Sequence, residues 1–155
     1  MSAQVRIGAS LAETWDHYFE PRGWAAWVDQ FAAVVSSAGG YPDVGGTLRW
    51  RSGPAGRGEV TERVLEHDPR RRHRIAWSDP LSAGELTTLF RIKGSGTEVT
   101  QELEYTLTKR GPLTWLTDRL FVRAQMRRSL ERSLSRLQHE VEGLAAMTRA
   151  VADSG

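Results

Sequence analysis

The stretch PLTWLTDRLFVRAQMRRSLERSLSRLQHEVEGL, residues 112–144, decides how the rest of the chain is read. Its apolar positions are Leu113, Leu116, Leu120, Leu130, Leu134, Leu137, Val141 and Leu144, stepping by three and four. That spacing places side chains on one face of an α-helix. A helix of roughly 30 residues is about 45 Å long, enough to cross a small domain. Its apolar stripe calls for one large surface to lie against.

The same alternation, carried through the gap in the stripe, lands on Arg123 and Arg127. A buried leucine contributes roughly 1.5–3 kcal/mol, whereas an unpaired buried charge costs several kcal/mol. The two arginines therefore do not belong in a dry core. Three arrangements satisfy them: pairing with carboxylates, facing a wet cavity, or turning to solvent at a kink that gives Met126 the inward place. On the helix's other side Arg128, Arg132 and Arg136 form a stripe, read as a solvated face balanced by Glu131, Glu140 and Glu142.

With 155 residues, 39% of them hydrophobic, the chain suits one domain with a sizeable core. We place that domain at 1–146 and expect 147–155 to be a frayed tail. A formal charge of +2 builds no strong field. The run Arg70-Arg71-Arg72-His73-Arg74 is one short patch at a turn, a poor footprint for nucleic acid, and no nucleic-acid partner is expected. The absence of cysteine excludes disulfides and thiolate chemistry. No stretch reaches the ~18 apolar residues of a membrane span, and no signal-peptide layout opens the chain, so a cytoplasmic protein without membrane insertion is expected.

Ahead of the long helix the pattern is mostly strand. Ala3 to Gly8 reads as a strand, and Ser10 with Glu13 as a capping box starting a helix at Leu11 that runs to about Phe19. Pro21 and Gly23 end it, and a second short helical turn holds Trp24 and Trp27, read as packing anchors. Strands follow at Phe31–Ser37, Thr47–Ser52, Glu59–His67, Arg72–Ser78, Glu85–Lys93 and Thr97–Thr108, with a polar break over Asp79–Gly84. Turns this short give antiparallel pairing, one face wet and one buried. The class is α+β: one strand, two short helices, six more strands, one long helix.

In this order the elements, with Ser10-Leu11-Ala12-Glu13-Thr14-Trp15, Trp27, Gly58-Glu59-Val60, Asp68-Pro69, Gly96-Thr97-Glu98-Val99-Thr100 and the closing Leu130, Leu134, Leu137 and Glu140, resemble a known superfamily. It is the helix-grip, START-like or SRPBCC superfamily, and above all its bacterial polyketide-cyclase/dehydrase and lipid-transport branch. The resemblance spans about Ala3 to Leu144. It implies a curved seven-stranded antiparallel sheet wrapped around the C-terminal helix and enclosing a pocket for an apolar ligand. It carries over no catalytic residue.

Strand phase gives a candidate lining of its own. Polar residues in phase with the apolar face point toward the helix: Glu62 beside Val60 and Val64, His73 beside Ile75 and Trp77, Thr88 between Leu86 and Phe90, then Gln101 and Tyr105. Trp50 and Trp77 supply aromatic walls. The candidate ligand residues are thus Arg123, Arg127, Tyr105, Gln101, Glu62, Trp50, Trp77, Thr88, Phe90 and Leu120. A structural ion pair between Glu62 and Arg123 or Arg127 competes with that role, and His73, near a strand end, is expected at the solvent.

The histidines at 17, 67, 73 and 139 form no metal pattern, no serine sits in a nucleophile elbow, and no glycine-rich loop opens a helix as phosphate binding requires. Neither metal nor cofactor is expected. The chain reads as a monomer or weak homodimer binding a small hydrophobic, lipid- or polyketide-like molecule between sheet and helix. A cyclase or aromatase using Arg123, Tyr105 or Glu62 is the second reading, and a co-chaperone-like interaction module the third.

Overall fold

The computed structural model describes residues 1–108 and 115–155, with the side chains of 115–119 left aside. Strand β1 spans Ser2–Ile7, helix α1 Leu11–Tyr18 and helix α2 Trp24–Trp27, the two helices joined through a 3₁₀ turn at Pro21–Gly23. Six strands follow: β2 Phe31–Ala38, β3 Thr47–Ser52, β4 Glu59–Asp68, β5 Arg72–Ser78, β6 Ser82–Lys93 and β7 Gly96–Leu107. Helix α3 runs from Trp115 to Asp153. All seven strands form one antiparallel sheet in the order β1-β7-β6-β5-β4-β3-β2. The expected class and element order hold.

Local chemistry accounts for the boundaries. The Ser10 hydroxyl accepts from Glu13 N and the Glu13 carboxylate accepts from Ser10 N, the capping box that starts α1. The polar break before β6 is shorter than expected, because the strand already begins at Ser82. Asp79 accepts from the backbone N–H groups of Leu81 and Ser82 and closes the turn. Gly84, placed in the break from sequence, lies inside the strand opposite Tyr105, and a Cβ there would overlap the Glu104 carbonyl oxygen. A bare Cα lets β7 come that close.

Helix α3 is anchored by Leu134, Leu137, Val141 and Ala145, all buried. It packs on β1, α1 and α2. The Glu142 carboxylate ties it to the end of β1 by accepting from Gly8 N at 2.8 Å. Beyond Ala145 every residue is exposed, yet the helix continues to Asp153 where a frayed tail was expected. Toward its start the inward line runs through Leu130, Met126 and Val122, steps of four that leave Arg123 and Arg127 on the solvent side. Pro112 and Leu113, expected to open the helix, lie outside the described residues.

Candidate functional site

Between the middle of the sheet and the first half of α3 lies a cavity of about 260 Å³. Period-two alternation supplies its sheet wall: Trp50 from β3, Val60 and Glu62 from β4, His73, Ile75 and Trp77 from β5, Leu86 from β6, and Gln101 and Leu103 from β7. Tyr18 enters from α1, Trp24 and Trp27 from α2, and Tyr41 from the β2–β3 loop. Helix α3 closes the other side with Val122, Gln125, Met126, Ser129, Leu130 and Ser133. The lining is mainly apolar and aromatic, with a few polar groups among it, as small-molecule sites generally are.

Glu62 is the chemically unusual member. It is 8% exposed, and its carboxylate accepts from Trp50 Nε1 at 2.8 Å and from the Tyr41 hydroxyl at 3.4 Å. Burial pushes its pKa up, against the lowering effect of those two hydrogen bonds and of Arg57. Burial and the nearby Glu62 also drive Tyr41 well above the usual phenol range. Deeper in, the Tyr18 hydroxyl lies 2.9 Å from Thr88 Oγ1 and accepts from Gln101 Nε2 at 3.2 Å, and burial carries its pKa to about 12. His73 and His67 face each other across β4 and β5 with their Nδ1 atoms 3.0 Å apart. Burial pulls His73 down to about 3, with the His67 charge acting the same way, so its ring is neutral at pH 7. Among the described residues, Trp27 Nε1, Trp77 Nε1, His73 Nε2 and Gln101 Oε1 are buried polar atoms of the lining with no protein partner.

The cations of the cavity wall are already engaged. Arg132 Nε and Nη2 donate to Asp29 at 3.0 and 2.7 Å, Arg136 Nη1 at 3.3 Å, and the Ser129 hydroxyl at 2.8 Å. Burial alone would raise the Asp29 pKa, but these partners outweigh it and hold the group below the ordinary aspartate value. Arg57 Nε donates to Asp79 at 2.8 Å while its guanidinium lies 4.2 Å above the centre of the Trp77 ring. No cluster of three or more potential metal ligands occurs among the described residues.

Of the residues chosen from sequence, Glu62, Trp50, Trp77 and Gln101 come together on the cavity wall. Arg123 and Arg127 do not: both are exposed, and Arg127 pairs with Glu131 at 3.0 Å. Burying either would cost several kcal/mol, whereas Val122 and Met126 face inward at no such cost. Leu120 shares the arginines' side of the helix and is 63% exposed. Tyr105 is half-buried at the core's edge, outside the lining. Thr88 is buried behind the wall, held by Tyr18, and Phe90 packs edge-on against Trp15 and Tyr18 in the filled end of the core.

The competing ion pair of Glu62 with Arg123 or Arg127 is absent, Trp50 and Tyr41 taking that place. His73, expected at the solvent, is 2% exposed, because β4 and the Phe19 ring just after α1 cover it. Arg132 and Arg136, read as a solvated stripe, grip Asp29. Tyr41 was missed, since a Gly- and Pro-rich loop gives no phase to read. Trp24 and Trp27 do pack as expected, and they also form cavity wall.

Residues 1–142 match the profile of the family described as polyketide cyclase / dehydrase and lipid transport. The chain belongs to this family. Its fold is shared with the Zhui aromatase/cyclase of Streptomyces sp. R1128, at TM-score 0.76 and 17% identity over 92% of each chain. A Thermus thermophilus protein aligns at TM-score 0.73 and 22% identity over 94% of this chain and 98% of that one. A Staphylococcus aureus protein of unknown function aligns at TM-score 0.71 and 10% identity, over 92% and 94%. No curated protein matches the chain. The family is part of the SRPBCC superfamily, and no helix among the described residues is long and apolar enough to cross a membrane.

Proposed function

We propose that this protein binds a small hydrophobic molecule, lipid- or polyketide-like, in the cavity between the sheet and α3. The observation that carries this reading is a hollow of about 260 Å³ walled by Trp24, Trp27, Trp50 and Trp77 inside an otherwise packed core. Close packing is the norm in protein interiors, and an unfilled apolar space forfeits contacts that a ligand restores. The volume falls just under the ~300–1,000 Å³ usual for small-molecule sites, which favours a compact ring system or a short chain. Membership of a polyketide-cyclase and lipid-transport family supports the same reading. The partner is thus a small molecule, with no nucleic acid and no membrane insertion, and the protein acts in the cytoplasm as a monomer or weak homodimer.

Binding is tested by following tryptophan fluorescence while titrating naphthalene- and anthracene-sized compounds, with native mass spectrometry as the second readout. A Met126→Trp variant fills the hollow from the helix side. It is expected to fold with unchanged circular dichroism and to lose the binding. Equal binding by wild type and this variant overturns the reading.

A cyclase-type enzyme is the second reading, favoured by Glu62 alone. Burial raises the Glu62 pKa, and a carboxyl shifted in that direction in an apolar cavity is suited to pass a proton to a bound carbonyl. Turnover of a polyketide-like substrate that survives Glu62→Gln unchanged would remove Glu62 from that role.

A further inference from the structure

The charges of the cavity wall select among ligands. The described lining residues include three carboxyls, Asp29, Glu62 and Asp79, and two guanidinium groups, Arg57 and Arg132. Arg132 is committed to Asp29 and Arg57 to Asp79 and the face of Trp77. Glu62 is left without a cation in contact, its two oxygens taking only the Trp50 indole and the Tyr41 hydroxyl. The other titratable and charged groups set toward it are Tyr18 from α1, His73 from β5 and Arg57 from the β3–β4 turn. Burial keeps His73 neutral, and Tyr18 and Tyr41 remain uncharged phenols, so of these groups only Arg57 carries a positive charge, and it is paired with Asp79 rather than with Glu62.

A carboxylate entering this space would meet Glu62 as a second carboxylate with no free cation between them. Two such groups in one poorly solvated site do not both ionise, and one must take up a proton at a cost in affinity. A neutral ligand incurs no such cost. Its carbonyl oxygen would accept from the indole N–H groups of Trp27 and Trp77, both buried without a protein partner, and a ligand hydroxyl would donate to Glu62. Gln101 Oε1, likewise unpartnered, would accept from a ligand hydroxyl.

We propose that Glu62 makes the cavity selective for a neutral, flat, apolar molecule bearing a carbonyl or hydroxyl oxygen, and selective against fatty acids and other carboxylates. This rests on the reading of the cavity as a ligand site. Two probes of nearly the same shape separate the terms: 2-acetonaphthone, neutral, and 2-naphthoate, anionic, titrated by calorimetry at pH 7.5. The wild type is expected to bind the ketone at least about tenfold more tightly than the acid. Glu62→Gln is expected to narrow the gap, bringing the naphthoate affinity within a few-fold of the ketone's in the same variant. Naphthoate binding as tightly as the ketone, or a preference unchanged by Glu62→Gln, overturns the selectivity while leaving the ligand site standing. Failure of both probes to bind overturns the ligand site and the selectivity with it. Should the variant not fold, the wild type alone decides: naphthoate affinity must rise between pH 7.5 and 5.5, and a flat curve refutes the proposal.

Discussion

Replacing His73 by phenylalanine should make the protein markedly less sensitive to mild acid. In the native state burial holds the His73 pKa at about 3, against the ordinary 6.5. The unfolded chain therefore takes up a proton near pH 6.5 that the folded chain refuses until far lower. Stability is full above pH 6.5 and is lost as pH falls from 6.5 toward 3. At pH 5 the loss is RT ln(1 + 10^1.5), about 2 kcal/mol, and it reaches roughly 5 kcal/mol once both states are protonated. His67 shifts in the same direction, also by burial, and adds to the effect. Phenylalanine suits the site, because the ring at 73 packs against Phe19 at 4.8 Å and Tyr41 at 6.2 Å and leaves Nε2 without a partner. Urea unfolding of wild type and His73→Phe at pH 7.5 and pH 5.0 gives four free energies. The wild type should lose about 2 kcal/mol more than the variant between the two pH values. Equal losses would show that His73 is not held neutral by burial, and the account of that wall of the cavity would fail.

Two further outcomes follow from the helix. Leu137→Ala removes a side chain with no exposure from the anchored half of α3 and should cost about 2–5 kcal/mol in urea or thermal unfolding. Arg123→Ala and Arg127→Ala, singly or together, should stay within about ±0.5 kcal/mol of wild type and leave ligand titrations unchanged, since both groups lie on the solvent side. A tenfold loss of binding in either arginine variant would show that the guanidinium groups reach the cavity.

Strand phase placed four of the candidate residues on the cavity wall. Glu62, Trp50, Trp77 and Gln101 were legible because a strand alternates strictly, so one apolar neighbour fixes the direction of every second residue. Phase does not tell how far along a strand the core is filled. Thr88 and Phe90 point inward as expected, yet Tyr18 and Trp15 occupy the space in front of them. Helix phase is softer. Steps of three and of four both fit 3.6 residues per turn, and over three turns the choice between them turns the stripe by a quarter circle or more. That freedom separates the line through Arg127 and Arg123 from the line through Met126 and Val122.

By itself the sequence determined the local chemistry: the capping box at Ser10, the alternation of each strand, the order of elements and their antiparallel pairing, and the apolar repeat of Leu134, Leu137 and Val141. Each of these is set by residues close together in the chain. Only the tertiary structure decided which line of α3 faces the sheet, that Asp29 meets Arg132 and Arg136 over 100 positions away, and that Tyr41 joins Glu62 on the cavity wall. Those contacts depend on where separate elements come to rest. That is settled by the sum of buried area and the cost of buried charge over the whole molecule, which no local pattern contains.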